Sequence, residues 1–176
     1  NTNGNSGEKP KDTAAATTED VQPADLFIDR MSASQALAAM LANQAHAITA
    51  LEAALPAINA AADAAYQRLS TSDTGRLIYV GAGTSARIGV QDGAELPPTF
   101  NWPHHRIGFV IAGGEAALLR AVENAEDSAE TACTHIADLG VAQNDVVIGL
   151  AASGSTVFTT AALVAARQAG AVTIGV

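Results

Sequence analysis

Leu77-Ile78-Tyr79-Val80-Gly81-Ala82-Gly83-Thr84-Ser85-Ala86-Arg87-Ile88-Gly89-Val90 is the stretch that decides how this chain folds. Its first four residues are apolar and mostly β-branched or aromatic, as in a strand buried on both faces. From Arg87 onward the residues read as the start of a helix. The same order returns downstream: Ile107 to Ala112, Val146 to Leu150 and Val172 to Val176 are short apolar runs separated by segments of helical composition. Strand alternating with helix predicts an α/β fold with a parallel sheet and right-handed crossovers, helices covering the sheet. Such sheets take their ligands beyond the carboxyl ends of the strands, so chemistry is expected at that edge.

Two turns stand there. After the first strand, Gly83, Thr84 and Ser85 place backbone N–H groups and two hydroxyls at the start of a helix, where the dipole is positive and an anion is held without a lysine. After the third strand, Ser153, Gly154, Ser155 and Thr156 repeat the arrangement ahead of a helix expected over Val157 to Gln168. Gly81, Gly83 and Ala86 also satisfy G-x-G-x-x-A, a dinucleotide fingerprint that is weak alone. Two hydroxyl-rich turns on one edge suit a compact phosphate better than an extended dinucleotide. The plainer reading of either turn is helix capping by Ser or Gly.

Upstream, Leu37, Met40, Leu41, Ala45, Ile48 and Leu51 recur at spacings of three and four, the pattern of one buried helical stripe, with Ser32 or Ser34 as its cap. Pro56 suits a first helical turn, and Ile58, Ala62, Tyr66 and Leu69 continue the period, so residues 23–74 are expected to form a pair of antiparallel helices. Residues 1–22 are polar and expected as a disordered tail, and residues 75–176 as the sheet domain. The last strand runs to Val176 without a covering helix, so more chain is expected beyond it.

The 176 residues are 48% hydrophobic and 15% charged, enough apolar surface for one core. Eighteen acidic residues against nine basic ones give a net charge of -9, which argues against nucleic acid and anionic membranes as partners. No apolar run approaches the roughly 20 residues of a membrane span. A single cysteine, Cys133, and the absence of a visible leader point to a reducing cytoplasm.

Two carboxylates are candidates for proton transfer. Glu95 is followed by Pro97 and Pro98, which are expected to end the helix directly after it; the negative end of the dipole would raise its proton affinity. Glu115 follows Gly113 and Gly114 at the end of the second strand and could open a helix. Both also read as ordinary acids, a solvated one and a first-turn cap. On a straight helix Glu95 lies about 15 Å from Ser85, so the helix must bend or Glu95 must serve a neighbouring subunit. Asp92, Glu123, Glu126, Asp127 and Glu130 read mainly as solvated helix faces, Cys133 as a small packed residue, and His104 and His105 as loop residues near the site. His46 and His135 have no partner at ligand spacing, so no metal is expected.

Taken together, Leu77 to Glu95 with Pro97, Pro98 and Thr99, Ile111 to Glu115, Ala121 to Ser128 and Gly149 to Thr156 resemble the N-acetylmuramic acid 6-phosphate etherases, over about Arg76 to Val176. The resemblance implies a sugar isomerase (SIS) fold, a doubly wound, flavodoxin-like sheet, in a cytoplasmic homodimer. It also implies a carbon–oxygen lyase that cuts the D-lactyl ether of its substrate to N-acetylglucosamine 6-phosphate and D-lactate without a cofactor. Glu95 matches the family's principal acid/base glutamate and Glu115 a second one, while Thr84, Ser85, Ser153, Ser155 and Thr156 match positions that hold phosphate and sugar. The chain departs from the family at Ala86, commonly glycine, and at Ser155 and Val157, commonly arginine and proline. A non-catalytic SIS module, such as a sugar-phosphate sensor or a relative of the glucokinase regulatory protein, would keep both turns but need not keep Glu95 and Glu115. A regulator of this fold would carry a basic helix-turn-helix. A dehydrogenase would leave the second turn unexplained.

Overall fold

The computed structural model describes residues 27–176; the predicted tail, residues 1–22, lies outside them. Four parallel strands, β1 (Leu77–Gly81), β2 (Ile107–Ile111), β3 (Val146–Leu150) and β4 (Val172–Gly175), form one sheet in the order β2-β1-β3-β4. The helices are α1 (Ala33–Ser70), α2 (Gly83–Phe100), α3 (Ala129–Asp138) and α4 (Val157–Gln168). The predicted strands and the parallel α/β sheet are therefore present, with the helix over Val157–Gln168 at its expected limits.

The sheet is covered on both faces because its central strands are apolar in both directions. Ile78, Val80, Val110 and Val147 pack with Ala132 and Ile136 of α3 and Phe158, Ala162 and Ala166 of α4. On the other face Ala86 of α2 meets Ile111 and Ala117. Gly93 lets α2 approach closely, since a Cβ there would stand 2.7 Å from a ring carbon of Phe109. Tyr79, stacked on Phe109, donates its hydroxyl to Asp92; burial first, and then the Asp92 carboxylate, push the phenol pKa up.

At the amino ends of the two central strands, Asp145 accepts from Arg76 backbone N–H (2.9 Å), its Nε (3.1 Å) and Nη2 (2.7 Å), and from Ala142 N–H (3.0 Å). Burial opposes the charged carboxylate, but these donors outweigh it and hold Asp145 below the usual carboxylate range. The pair clamps β1 to β3 at the edge opposite the turns.

The N-terminal segment departs from expectation. It is one helix of 38 residues with Pro56 inside it, not an antiparallel pair. Proline forfeits one hydrogen bond, to Glu52 C=O, and its ring crowds that carbonyl. The flanking Ala53, Ala54, Leu55 and Ala57 favour helix and offer no turn residue, so the helix continues across it. Ser32 caps α1 in a reciprocal box with Gln35. The predicted buried stripe is not buried in this chain: no residue of α1 is, and Leu37, Met40, Leu41, Ile48, Leu51 and Ile58 are exposed. Its C-terminal end is nevertheless anchored. Arg68 donates to the carbonyls of Gln143 and Gly170, and Arg106 to those of Leu69 (2.8 Å) and Gly75 (2.6 Å).

Candidate functional site

β1 pairs with β2 on one side and β3 on the other, so Gly81 is flanked by Ile111 and Leu150. From β1 the chain crosses outward to β2 and then returns past β1 to β3. The sheet therefore reverses direction between β1 and β3, and the turns that follow these two strands emerge side by side there, the usual ligand position of an open α/β sheet. The first turn is tight because β1 ends in glycine. A Cβ on Gly81 would stand 3.0 Å from Ala86 N and 3.2 Å from Leu150 O, both backbone atoms.

α2 starts at Gly83, earlier than expected, so Thr84 and Ser85 lie in its first turn. Its N-cap is Ala82, with no side-chain cap, and α4 likewise starts after Thr156 without a side-chain cap bond. Capping therefore does not account for the hydroxyls of either turn; by contrast Ser128 does cap α3, accepting from Thr131 N–H at 3.2 Å. In the second turn Ser155 donates both its N–H and its Oγ to Ser153 Oγ at 3.2 Å, and Gly154 takes a positive φ of 69°.

Gly83 and Thr84 line a cavity of about 330 Å³. Its other walls are Arg87 and, beyond β2, Ala112, Ala117 and the stretch from Arg120 to Glu126. The sequence reading did not place that stretch at the site. Glu123 and Glu126 are exposed, as expected of solvated acids, and also border this cavity, because Asn124, at a φ of 60°, turns the chain into the short 3₁₀ segment Ala125–Asp127, which packs on α4. Arg87 and Arg120 were also missed. The position of Arg87 three residues after Thr84, on the same helical face, was the available signal. Ser85, half-buried, and Ser153, Gly154, Ser155 and Thr156 border this edge without lining the cavity.

The two glutamates are not brought to this point. Pro97 and Pro98 do not end α2, which runs on to Phe100; the chain turns only at Asn101 (φ 53°), where Trp102 N–H donates to Leu96 O at 3.3 Å. Pro97 and Pro98 leave the carbonyls of Gly93 and Ala94 without their i+4 donors, yet the helix runs past both, so Glu95 stays within it, exposed and about 15 Å along it from Ser85. Glu115 opens the 3₁₀ segment Glu115–Leu118 after two glycines of positive φ and borders a separate, largely apolar hollow with Phe109, Leu119 and His135. Cys133 is exposed on α3 and not packed, since Ala132 and Ile136 make the inward face of that helix. His104 and His105 form a short 3₁₀ turn outside the cavity. Among the described residues no group of three or more His, Cys, Asp or Glu side chains could hold a metal ion, and no helix is long and apolar enough to cross a membrane.

A parallel sheet wound on both faces, with hydroxyl-rich turns at its reversal point, fits the SIS class of α/β domains. The chain belongs to that family: the model of the glucokinase regulatory protein N-terminal SIS domain matches residues 60–167. It is also similar to proteins named N-acetylmuramic acid 6-phosphate etherase. It is 42% identical to that of Deinococcus radiodurans over 158 residues, covering 90% of this chain and 51% of the relative. It is 40% identical to that of Pasteurella multocida over 167 residues, covering 95% and 55%, and 43% identical to that of Serratia proteamaculans over 162 residues, covering 92% and 54%. The chain spans about half the length of the curated relatives it matches.

Proposed function

We propose that the protein to which this chain belongs cleaves the D-lactyl ether of N-acetylmuramic acid 6-phosphate, giving N-acetylglucosamine 6-phosphate and D-lactate, as a cytoplasmic homodimer in the recycling of cell-wall sugar. The observation that carries the reading is the pairing of two uncapped, hydroxyl-bearing helix starts at the reversal of the sheet, in a chain about 40% identical to proteins of that name. Thr84 and Ser85 with Gly83 N–H on one side, and Ser153, Gly154, Ser155 and Thr156 on the other, hold the phosphate and sugar. In the open-chain sugar the C2 proton is α to the aldehyde. A carboxylate removes it, the C3–O bond breaks, lactate leaves, and water adds across the C2–C3 double bond.

Glu95 is the main acid/base in this reading and Glu115 its assistant. Because Glu95 is exposed and far along α2 from its own turn, it acts in the partner subunit's site. The exposed apolar stripe of α1 supports the pairing of subunits that this requires. A second reading, a non-catalytic sugar-phosphate sensor, is favoured by the name of the matching family model. Lactate release by the full-length protein separates the two. The etherase reading expects release from N-acetylmuramic acid 6-phosphate and its loss by at least about a hundredfold in Glu95→Gln, as for removal of a general base. Binding of N-acetylglucosamine 6-phosphate without any lactate release would leave the sensor, and wild-type release by a folded Glu95→Gln would remove Glu95 from the chemistry.

A further inference from the structure

The cavity between the ends of β1 and β2 holds two guanidinium-bearing residues that the elimination does not use, in a chain whose net charge is -9. Arg87 is committed: its Nε donates to Ala117 O at 3.2 Å and its Nη1 to Thr84 Oγ1 at 3.3 Å, which ties the first turn to the segment after β2. Arg120 is not. It lines the same cavity, yet its side chain makes no hydrogen bond or ion pair among the described residues, where the one ion pair is Arg76–Asp145. Glu123 and Glu126, also in the wall, would repel an anion and accept from neutral hydroxyl or amide donors. An anion entering this cavity therefore has its place on the arginine side.

The etherase substrate carries two anions. The phosphate has the helix starts. The lactyl carboxylate, borne on the C3 ether oxygen, is the group that the product sugar lacks, and a planar guanidinium matches a carboxylate through two parallel N–H···O bonds. Resting on the etherase reading, we propose that Arg120 binds the lactyl carboxylate and so distinguishes N-acetylmuramic acid 6-phosphate from N-acetylglucosamine 6-phosphate at this cavity. Loss of the carboxylate on cleavage then weakens the hold on the sugar product and favours its release.

The test uses the full-length protein in a Glu95→Gln background, which on the etherase reading binds the substrate without consuming it, with Arg120→Met and Arg120→Lys beside the Arg120 parent and calorimetric Kd values for both sugar phosphates. Arg120→Met is expected to weaken N-acetylmuramic acid 6-phosphate by about tenfold or more, the scale of a lost charge-assisted hydrogen bond, with partial recovery in Arg120→Lys. The Kd for N-acetylglucosamine 6-phosphate is expected to stay within about twofold, which also reports that the variant is folded. Equal weakening of both ligands would overturn the proposal and assign Arg120 to the phosphate; no weakening of either would overturn it too. Lactate release by the protein with Glu95 intact reports separately on the etherase reading. A wild-type protein that releases none while preferring the muramic acid ligand through Arg120 would fail that reading and keep the carboxylate contact.

Discussion

Asp145 is the residue on which the central strands depend most directly. The residue is 2% exposed, its carboxylate accepts four hydrogen bonds, and these donors hold its pKa below the usual carboxylate range. A carboxyl depressed by folding contributes stability that is complete above its unfolded pKa, about 4, and is lost as the pH falls through its folded value. Asp145→Ala leaves Arg76 without its partner and is expected to cost about 3 kcal/mol at pH 7. The gap to wild type should then narrow below about pH 4, as protonation weakens the wild-type contacts. Urea unfolding at stepped pH checks this, and a difference from wild type that does not change with pH would refute the electrostatic account. Asp145 carries no sequence signal of this role, because Arg76 is 69 positions away along the chain.

Among the elements, α1 differs most from its sequence reading. Its length, about 57 Å for 38 residues, puts Pro56 in the middle of a continuous helix. Replacing that proline by alanine restores the N–H that would bond Glu52 C=O and removes a ring clash, a helix gain of up to about 3 kcal/mol. Pro56→Ala is expected to raise hydrogen-exchange protection of amides on both sides of residue 56. A turn between two helices would gain no such protection. Element type was legible here from the period of three and four, but continuity was not, since proline reads equally as a first-turn or an interior residue. The same ambiguity applies to Pro97 and Pro98, where the stop comes at Asn101 and the left-handed conformation there leaves no mark in the apolar pattern.

At the scale of the whole molecule, a helix this exposed and this apolar asks for a cover. Leu41 is 74% and Leu51 57% exposed, and neither meets the sheet domain's core. If α1 joins the proposed homodimer, sedimentation velocity of the full-length protein should give a dimer, and Leu41→Asp with Leu51→Asp should shift it to monomer, since burying unpaired carboxylates in an apolar seam costs several kcal/mol. A double variant that stays dimeric would place the interface elsewhere. The dimer also bears on chemistry, because the reading of Glu95 as an acid/base needs a second subunit to bring it to a phosphate-binding turn.

The sequence by itself determined the four strands, the parallel α/β class and the two hydroxyl-bearing turns, because buried parallel strands and helix starts leave local marks: short β-branched runs, then Gly, Ser and Thr. Tertiary structure alone decided the strand order that sets those turns beside each other. It also decided the cavity that gathers Arg87, Arg120, Glu123 and Glu126, and the placing of Glu115 on a different hollow. Each of these is a contact between residues far apart in the chain. Local propensity carries no information about such contacts; they are settled by which faces of sheet and helix can be buried together.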